Sequence, residues 1–346
     1  MLAGVADDRD LLRTAAEMTR DLQRPNPWIY WPDCLGSAAA GYAALAAAIV
    51  AHSPWIALGC GVAAVLMLYR ATLFIHEITH LNHALLPGFR FVWNLTIGVP
   101  TMLPSFMYEG IHTQHHTRVK YGTAEDPEYL PLALMKPWSL PLFFFVAGLM
   151  PLGLLVRFGV LGPLSMVIPP LRRVVTERFS GLQMNPQYRR RPPEGDFARQ
   201  WFWEEFGASI VAMTILATAI AGVLPLHVLA VYMAIIAGVA LLNQARTLVA
   251  HRWENEGEPL TVTAQYLDST NVPDGVLPGL WAPVGLRFHA THHLLPSLPY
   301  HALGTAHRRI MAAMGRDSTY SRANYATLRG LLARLLASTM KPRNAD

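Results

Sequence analysis

Four apolar runs constrain this chain before anything else does, because each is close to the roughly 20 residues a helix needs to cross a bilayer. They are 35–52 (LGSAAAGYAALAAAIVAH), 55–75 (WIALGCGVAAVLMLYRATLFI), 206–224 (FGASIVAMTILATAIAGVL) and 226–245 (LHVLAVYMAIIAGVALLNQA). Composition agrees with that reading. The 346 residues are 52% hydrophobic and only 15% charged, against a usual charged share of about 25%. Small residues recur in the first and third runs, which suits close helix contact in lipid. A further apolar stretch, 138–168, is broken by Pro141, Pro151 and Pro163. We read it as interfacial or re-entrant helix rather than a span. The expectation is an all-α integral membrane protein, a four-helix bundle of two hairpins with a helical cap.

Short links join the runs in pairs and hold no Lys or Arg. The segment 1–33 carries Arg9, Arg13, Arg20 and Arg24, and the central segment carries Arg172, Arg173, Arg178, Arg189, Arg190, Arg191 and Arg199. Positive charge favours the cytoplasmic side, so both termini and the central segment are expected in the cytoplasm. Three parts follow: a cytoplasmic segment 1–33, a membrane domain 34–310 whose cap comprises 76–205 and 246–310, and a C-terminal amphipathic tail 311–346. That tail can lie on the membrane surface or pack on the cap. WFWEEF at 201–206 reads as an interfacial aromatic anchor. The N-terminal stretch lacks the apolar core of a secretory signal. Cys34 and Cys60 form no CxxC pair. The net charge of +5 needs no nucleic acid, since anionic headgroups account for the arginines.

The chemistry lies in the histidines, fourteen in all. Eight fall into three boxes: HEITH (His76, His80), HTQHH (His112, His115, His116) and HATHH (His289, His292, His293). Positions i, i+3 and i+4 share a helix face, so each box aims its imidazoles together. His251, in RTLVAHRW, follows the fourth run. By the topology above, all nine lie on one side of the membrane and can gather at the mouth of the bundle. Imidazole suits zinc, copper, iron and nickel. A structural zinc takes four ligands, so nine donors exceed one ion and fit two. Zinc has no redox chemistry. Two irons with open positions can use O2 against an unactivated C–H bond, and a lipid-embedded site points to an aliphatic substrate.

These boxes, their order and the hairpin layout resemble the membrane fatty acid desaturase superfamily, which includes lipid, sphingolipid and carotenoid hydroxylases and ketolases. The resemblance covers roughly residues 40–310. HHLLPSLPYHALG after the third box is similar to bacterial-type members. It implies a non-haem di-iron centre, O2 as co-substrate, and electrons from an external ferredoxin, rubredoxin or cytochrome b5-like carrier. It implies an acyl-lipid, acyl-CoA or acyl-carrier-protein substrate and a bacterial inner-membrane location. No HPGG haem motif is fused. Desaturation is the expected outcome, hydroxylation or ketolation the alternative. The remote alternatives are an HExxH zinc protease with Glu77 as base, and a membrane metal carrier or haem cytochrome.

Metal-bound imidazoles usually pass their other N–H to a carboxylate or carbonyl. Among Glu77, Glu109, Glu125, Asp126, Glu254 and Asp268, the best placed are Asp126 (TAEDPEY) and Asp268 (QYLDSTN). His83 and His301 are candidates for additional or supporting roles. His52, His227 and His307 are expected outside the site.

Overall fold

The structure, a computed structural model, describes residues 2, 4–275 and 277–340. It is built of helices, and among the described residues no β-strand forms, only three isolated bridges: His251 with Ser269, and Asn271 with Phe288 and with Asn324. The helices are α1 (Arg9–Met18), α2 (Pro27–Val50), α3 (Pro54–Thr72), α4 (Phe74–His80), α5 (Phe89–Trp93), α6 (His112–His115), α7 (Ser139–Gly148), α8 (Met150–Val156), α9 (Gly162–Val167), α10 (Pro169–Phe179), α11 (Gly195–Ile220), α12 (Leu226–Leu248), α13 (Val262–Asp268), α14 (Pro278–Trp281), α15 (His289–Leu294), α16 (Tyr300–Met314) and α17 (Leu328–Thr339). They divide into two compact units. One comprises Asn26–Ile111 and Phe145–Asn243, the other Met1–Pro25, His112–Phe144 and Gln244–Asp346.

The first of these units carries nearly all of the long apolar helices. α2 starts where Asn26 accepts a hydrogen bond from the Trp28 amide at 3.0 Å, with Pro27 in its first turn, a favoured opening for a helix. It packs along α3, and the approach is close at Gly41. A Cβ there would lie 2.7 Å from Leu68 Cγ, so only a small residue fits, as expected for helices meeting in lipid. α11 and α12 are joined by a tight stop. Gly222, with φ of 70°, donates to Ala219 O at 3.1 Å and Val223 N donates to Thr218 O at 2.9 Å, the paired bonds of a Schellman motif.

Each expected span lies in or overlaps a longer helix: α2 begins at Pro27 and α11 at Gly195, each ahead of its apolar stretch. The count differs from expectation. Among the described residues five helices, not four, are long and apolar enough to cross a membrane: Pro27–Val50, Pro54–His80, Met150–Val167, Gly195–Ile220 and Leu226–Leu248. The additional one runs through the proline-broken stretch. Pro151 and Pro163 sit in first turns, of α8 and α9, where no amide is needed. Between them, residues 157–161 form a π-turn whose closing amide, Gly162 N–H, reaches Arg157 O. Such a widened turn absorbs an insertion without ending the helix.

Much of the apolar surface on these helices faces outward. Only 22% of the apolar window is buried in each of Gly195–Ile220 and Leu226–Leu248, as befits contact with lipid rather than water. WFWEEF is two-sided. Phe202, Trp203 and Phe206 are exposed, while Trp201, Glu204 and Glu205 are buried. Glu205 accepts from Arg157 at 2.5 Å and from Arg172 at 2.8 Å, so the buried charge is paired.

The second unit is compact around α13, α15 and α16. Leu11 and Ala15 of α1 pack with Tyr266, Ala290, Ile310 and Tyr320. Its α13 is opened by Thr261, which accepts from Ala264 N at 3.1 Å. Asn271 Oδ1 accepts from Thr291 N at 3.0 Å, tying α15 to the segment before it. The C-terminal α17 buries Leu331 and Leu335 and packs beside residues 132–134. Of the two placements open for 325–340, packing on the cap is the one observed for this face.

Candidate metal centre

Within the second unit, four histidines from three segments converge: His115 from the end of α6, His251 from the chain beyond α12, and His289 and His293 from one face of α15. Each is buried, and one nitrogen from each lies within 4.8 Å of those of the others. His289 Nε2 lies 3.0 Å from His251 Nε2 and 3.2 Å from His293 Nε2. A second group in the same unit contains His112, His116 and His292. His116 Nε2 lies 3.0 Å from His112 Nε2 and 3.2 Å from His292 Nε2. In the other unit, His76 and His80 sit one turn apart at the end of α4, with ring centroids 5.1 Å apart.

The outer nitrogens say what these rings are for. His115 Nδ1 donates to Asp126 at 2.9 Å, and His112 Nδ1 donates to Glu128 at 2.9 Å. His251 Nδ1 meets the Tyr121 hydroxyl at 2.9 Å and the Ser269 hydroxyl at 3.2 Å. Both hydroxyls spend their protons elsewhere, Tyr121 on Asp268 at 2.8 Å and Ser269 on Gln265 O at 2.9 Å. His251 Nδ1 must therefore be the donor. In all three rings the proton sits on Nδ1 and the lone pair on Nε2, the tautomer assigned by the outer hydrogen bond. The Nε2 atoms that face inward cannot satisfy one another, since His289 Nε2 meets two neighbours with one site. A cation that takes lone pairs satisfies them together, so the residues fit a metal.

The electrostatics agree. Burial holds the His251 and His293 imidazoles well below their ordinary range, reinforced by positive neighbours, so both stay neutral and able to ligate. For His115, burial acts downward, but Asp126 outweighs it and the net shift is upward, in keeping with an Nδ1–H held by a carboxylate. Asp268 is fully buried and pushed up to about 6 by that burial, although Tyr121 and Tyr129 both donate to it. Among the described residues no hydrogen-bond donor meets its Oδ1.

The structure places Asp126 on His115 Nδ1 and Asp268 behind Tyr121, which bonds His251; both carboxylates are buried. Glu77 also lies near its box neighbour, 3.7 Å from His76 Nδ1, and accepts from the Tyr30 hydroxyl. Glu125, Glu254 and Glu109 are engaged with cations instead, Lys120, Arg252 and Arg90 respectively. Sequence reasoning missed Glu128, Tyr121 and Tyr129. The alternation Asp126-Pro127-Glu128 contained a signal, because residues two apart on an extended chain can serve two neighbouring rings. The tyrosines carried none. His83 is exposed, 3.4 Å from Arg90, and His301 is half-buried on α16; neither belongs to a donor set. His52 and His227 are exposed at the far ends of the apolar helices. His307 is buried against the Tyr320 hydroxyl at 3.1 Å.

Buried imidazole sets on an all-helical chain with membrane-length helices define a membrane protein of the histidine-box class. The model of the fatty acid desaturase family matches residues 52–324, and the chain belongs to that family. It is 42% identical over 348 residues to a ceramide hydroxylase of Caulobacter vibrioides (strain NA1000 / CB15N), with 99% of each chain covered. No solved structure matches it.

Proposed function

We propose that this protein is an O2-dependent hydroxylase of a ceramide-class lipid, using a non-haem di-iron centre and electrons from an external carrier. The observation that carries the reading is end-to-end likeness, at 42% identity, to a ceramide hydroxylase. It moves the expected outcome from desaturation to oxygen insertion, the alternative already set beside it. Desaturation keeps one argument, the family whose model matches.

In this reading His115, His251, His289 and His293 hold one ion. His112, His116 and His292 hold the other, completed by His76 and His80 from the first box. Donor chemistry supports this: three nitrogens leave a redox metal short of the four or five that the first set and its open position provide. A di-iron pair, when bound, supplies activation of O2 for attack on an unactivated C–H bond. The protein's own share is positional and electrostatic. Neutral nitrogens leave the metal charge unbalanced, and carboxylates offset it: Asp126 and Glu128 from one hydrogen bond away, Asp268 through Tyr121, and Glu77 from 3.7 Å. The hydrogen bonds to Asp126, Glu128 and Tyr121 lock His115, His112 and His251, so those three Nε2 atoms are aimed before any ion arrives. Burial of all four rings in the first set keeps water from the reacting position. A long apolar substrate enters from the lipid and is oriented there, where placement within about an ångström governs rate. The location we propose is the bacterial inner membrane, with the metal site cytoplasmic.

The test is expression in a host supplied with ceramide, followed by mass spectrometry of its lipids, with His292→Ala as control. A ceramide heavier by one oxygen, absent from the control, is expected. A ceramide or acyl chain lighter by a hydrogen pair gives the desaturase reading. Unchanged lipids with zinc in the purified protein would sink both.

A further inference from the structure

α17 is apolar on two faces, and only one is covered by the protein. Leu331, Leu335 and Thr339 point inward, where Leu331 packs with Val249 and Val272. The opposite stripe is Arg329, Ala333, Leu336, Ala337 and Met340, all exposed, with Leu336 at 49% and Met340 at 70% exposure. Exposed Leu336 and Met340 on that outer face call for an apolar neighbour. Two features beside it say what. The last turn is pinned where Ser338 Oγ donates to Ala133 O at 3.2 Å. A few residues on, Lys136 and Trp138 are exposed, Trp138 at 60%, immediately before the apolar helix α7. Tryptophan with a basic neighbour at the mouth of an apolar helix marks the headgroup level of a membrane. At the other end of α17, Trp281 joins the same cluster as Leu331, and Leu277 just before α14 and Leu280 within it are 69% and 48% exposed.

We propose that the outer stripe of α17 lies on the membrane surface, with Leu336 and Met340 among the acyl chains and Arg329 at the headgroups. Apolar area combined with a cation is what an interfacial helix uses to hold an anionic leaflet. The consequence reaches the metal centre, because Leu331 and Leu335 line the same small cavity as His251. The helix that rests on lipid thus shares a cavity wall with one of the proposed metal ligands.

Site-directed spin labelling of the full chain tests this. Cys34 and Cys60 are the two cysteines present and are replaced by alanine. Labels are then placed singly through Ala333→Cys, Leu336→Cys and Met340→Cys, with Arg316→Cys as an exposed control. In vesicles of phosphatidylethanolamine and phosphatidylglycerol, collision with O2 reports lipid and collision with nickel-EDDA reports water. The expected result is an O2-to-nickel ratio several-fold higher at all three stripe positions than at the control. A ratio at the stripe equal to the control means water and overturns the proposal. Exclusion of both reagents means that a second copy or a carrier protein covers the stripe, and overturns it too. The measurement needs no metal and no turnover, so it stands or falls apart from the hydroxylase reading.

Discussion

At the scale of the residue, the candidate centre is a problem of proton placement. Tyr121 accepts from His251 Nδ1–H and donates its own O–H to Asp268, so one hydroxyl sets a tautomer and couples a ring to a buried carboxylate. Tyr121→Phe removes the acceptor without emptying the space. Loss of such an outer partner typically lowers metal affinity about 10–100-fold, and we expect that loss in metal retained after dialysis against graded chelator. Retention equal to wild type would show that Ser269 and packing aim His251 without the Tyr121 hydroxyl. His307 offers a pH readout away from the metal. Burial pushes its imidazole down to about 4 from the ordinary 6.5. The unfolded chain therefore binds the extra proton first, and stability falls as pH drops from 6.5 toward 4, with no further loss below. Melting of the detergent-solubilised protein should show this fall, and His307→Gln should flatten it.

At the scale of the element, stability rests on how closely helices approach. Gly41 lets Leu68 of α3 come against the α2 backbone, and any Cβ would meet that side chain at 2.7 Å. Gly41→Val should overpack the hairpin and cost about 1–3 kcal/mol, read as earlier unfolding in mixed SDS micelles. A neutral outcome would mean that the pair can slide apart in the bilayer. The 138–168 stretch gives the complementary lesson. Three prolines made it look broken, yet two fall in helical first turns and a π-turn lies between them. Proline position decides between a break and a continuous helix more than proline count does.

At the scale of the whole molecule, five candidate spans rather than four bear on orientation. An even number of crossings returns both termini to one side, whereas an odd number separates them. The arginines of 1–33 and of 172–199 support a cytoplasmic location for both, which requires that one of the five apolar helices does not cross. Reporter fusions active on one side only, placed at each terminus in turn, give the parity directly. Both active in the cytoplasm is the expected outcome. Opposite sides would make Met150–Val167 a true crossing and move part of the proposed topology.

The class of the protein, four of its five membrane-length helices and the shared faces of the box histidines were legible in the chain itself, because hydropathy and i, i+3, i+4 spacing act over one or two helical turns. Asp126 and Asp268 were legible as buried-carboxylate candidates by chemistry, though not by which ring each would serve. What only the tertiary structure decided was pairing across distance. It put His251 with His115, His289 and His293 in one set, Glu128 behind His112, and Tyr121 between His251 and Asp268. These partners lie far apart along the chain, with no period to announce them. A helix advertises its own face in its sequence, but which other face it meets is written only in the packing.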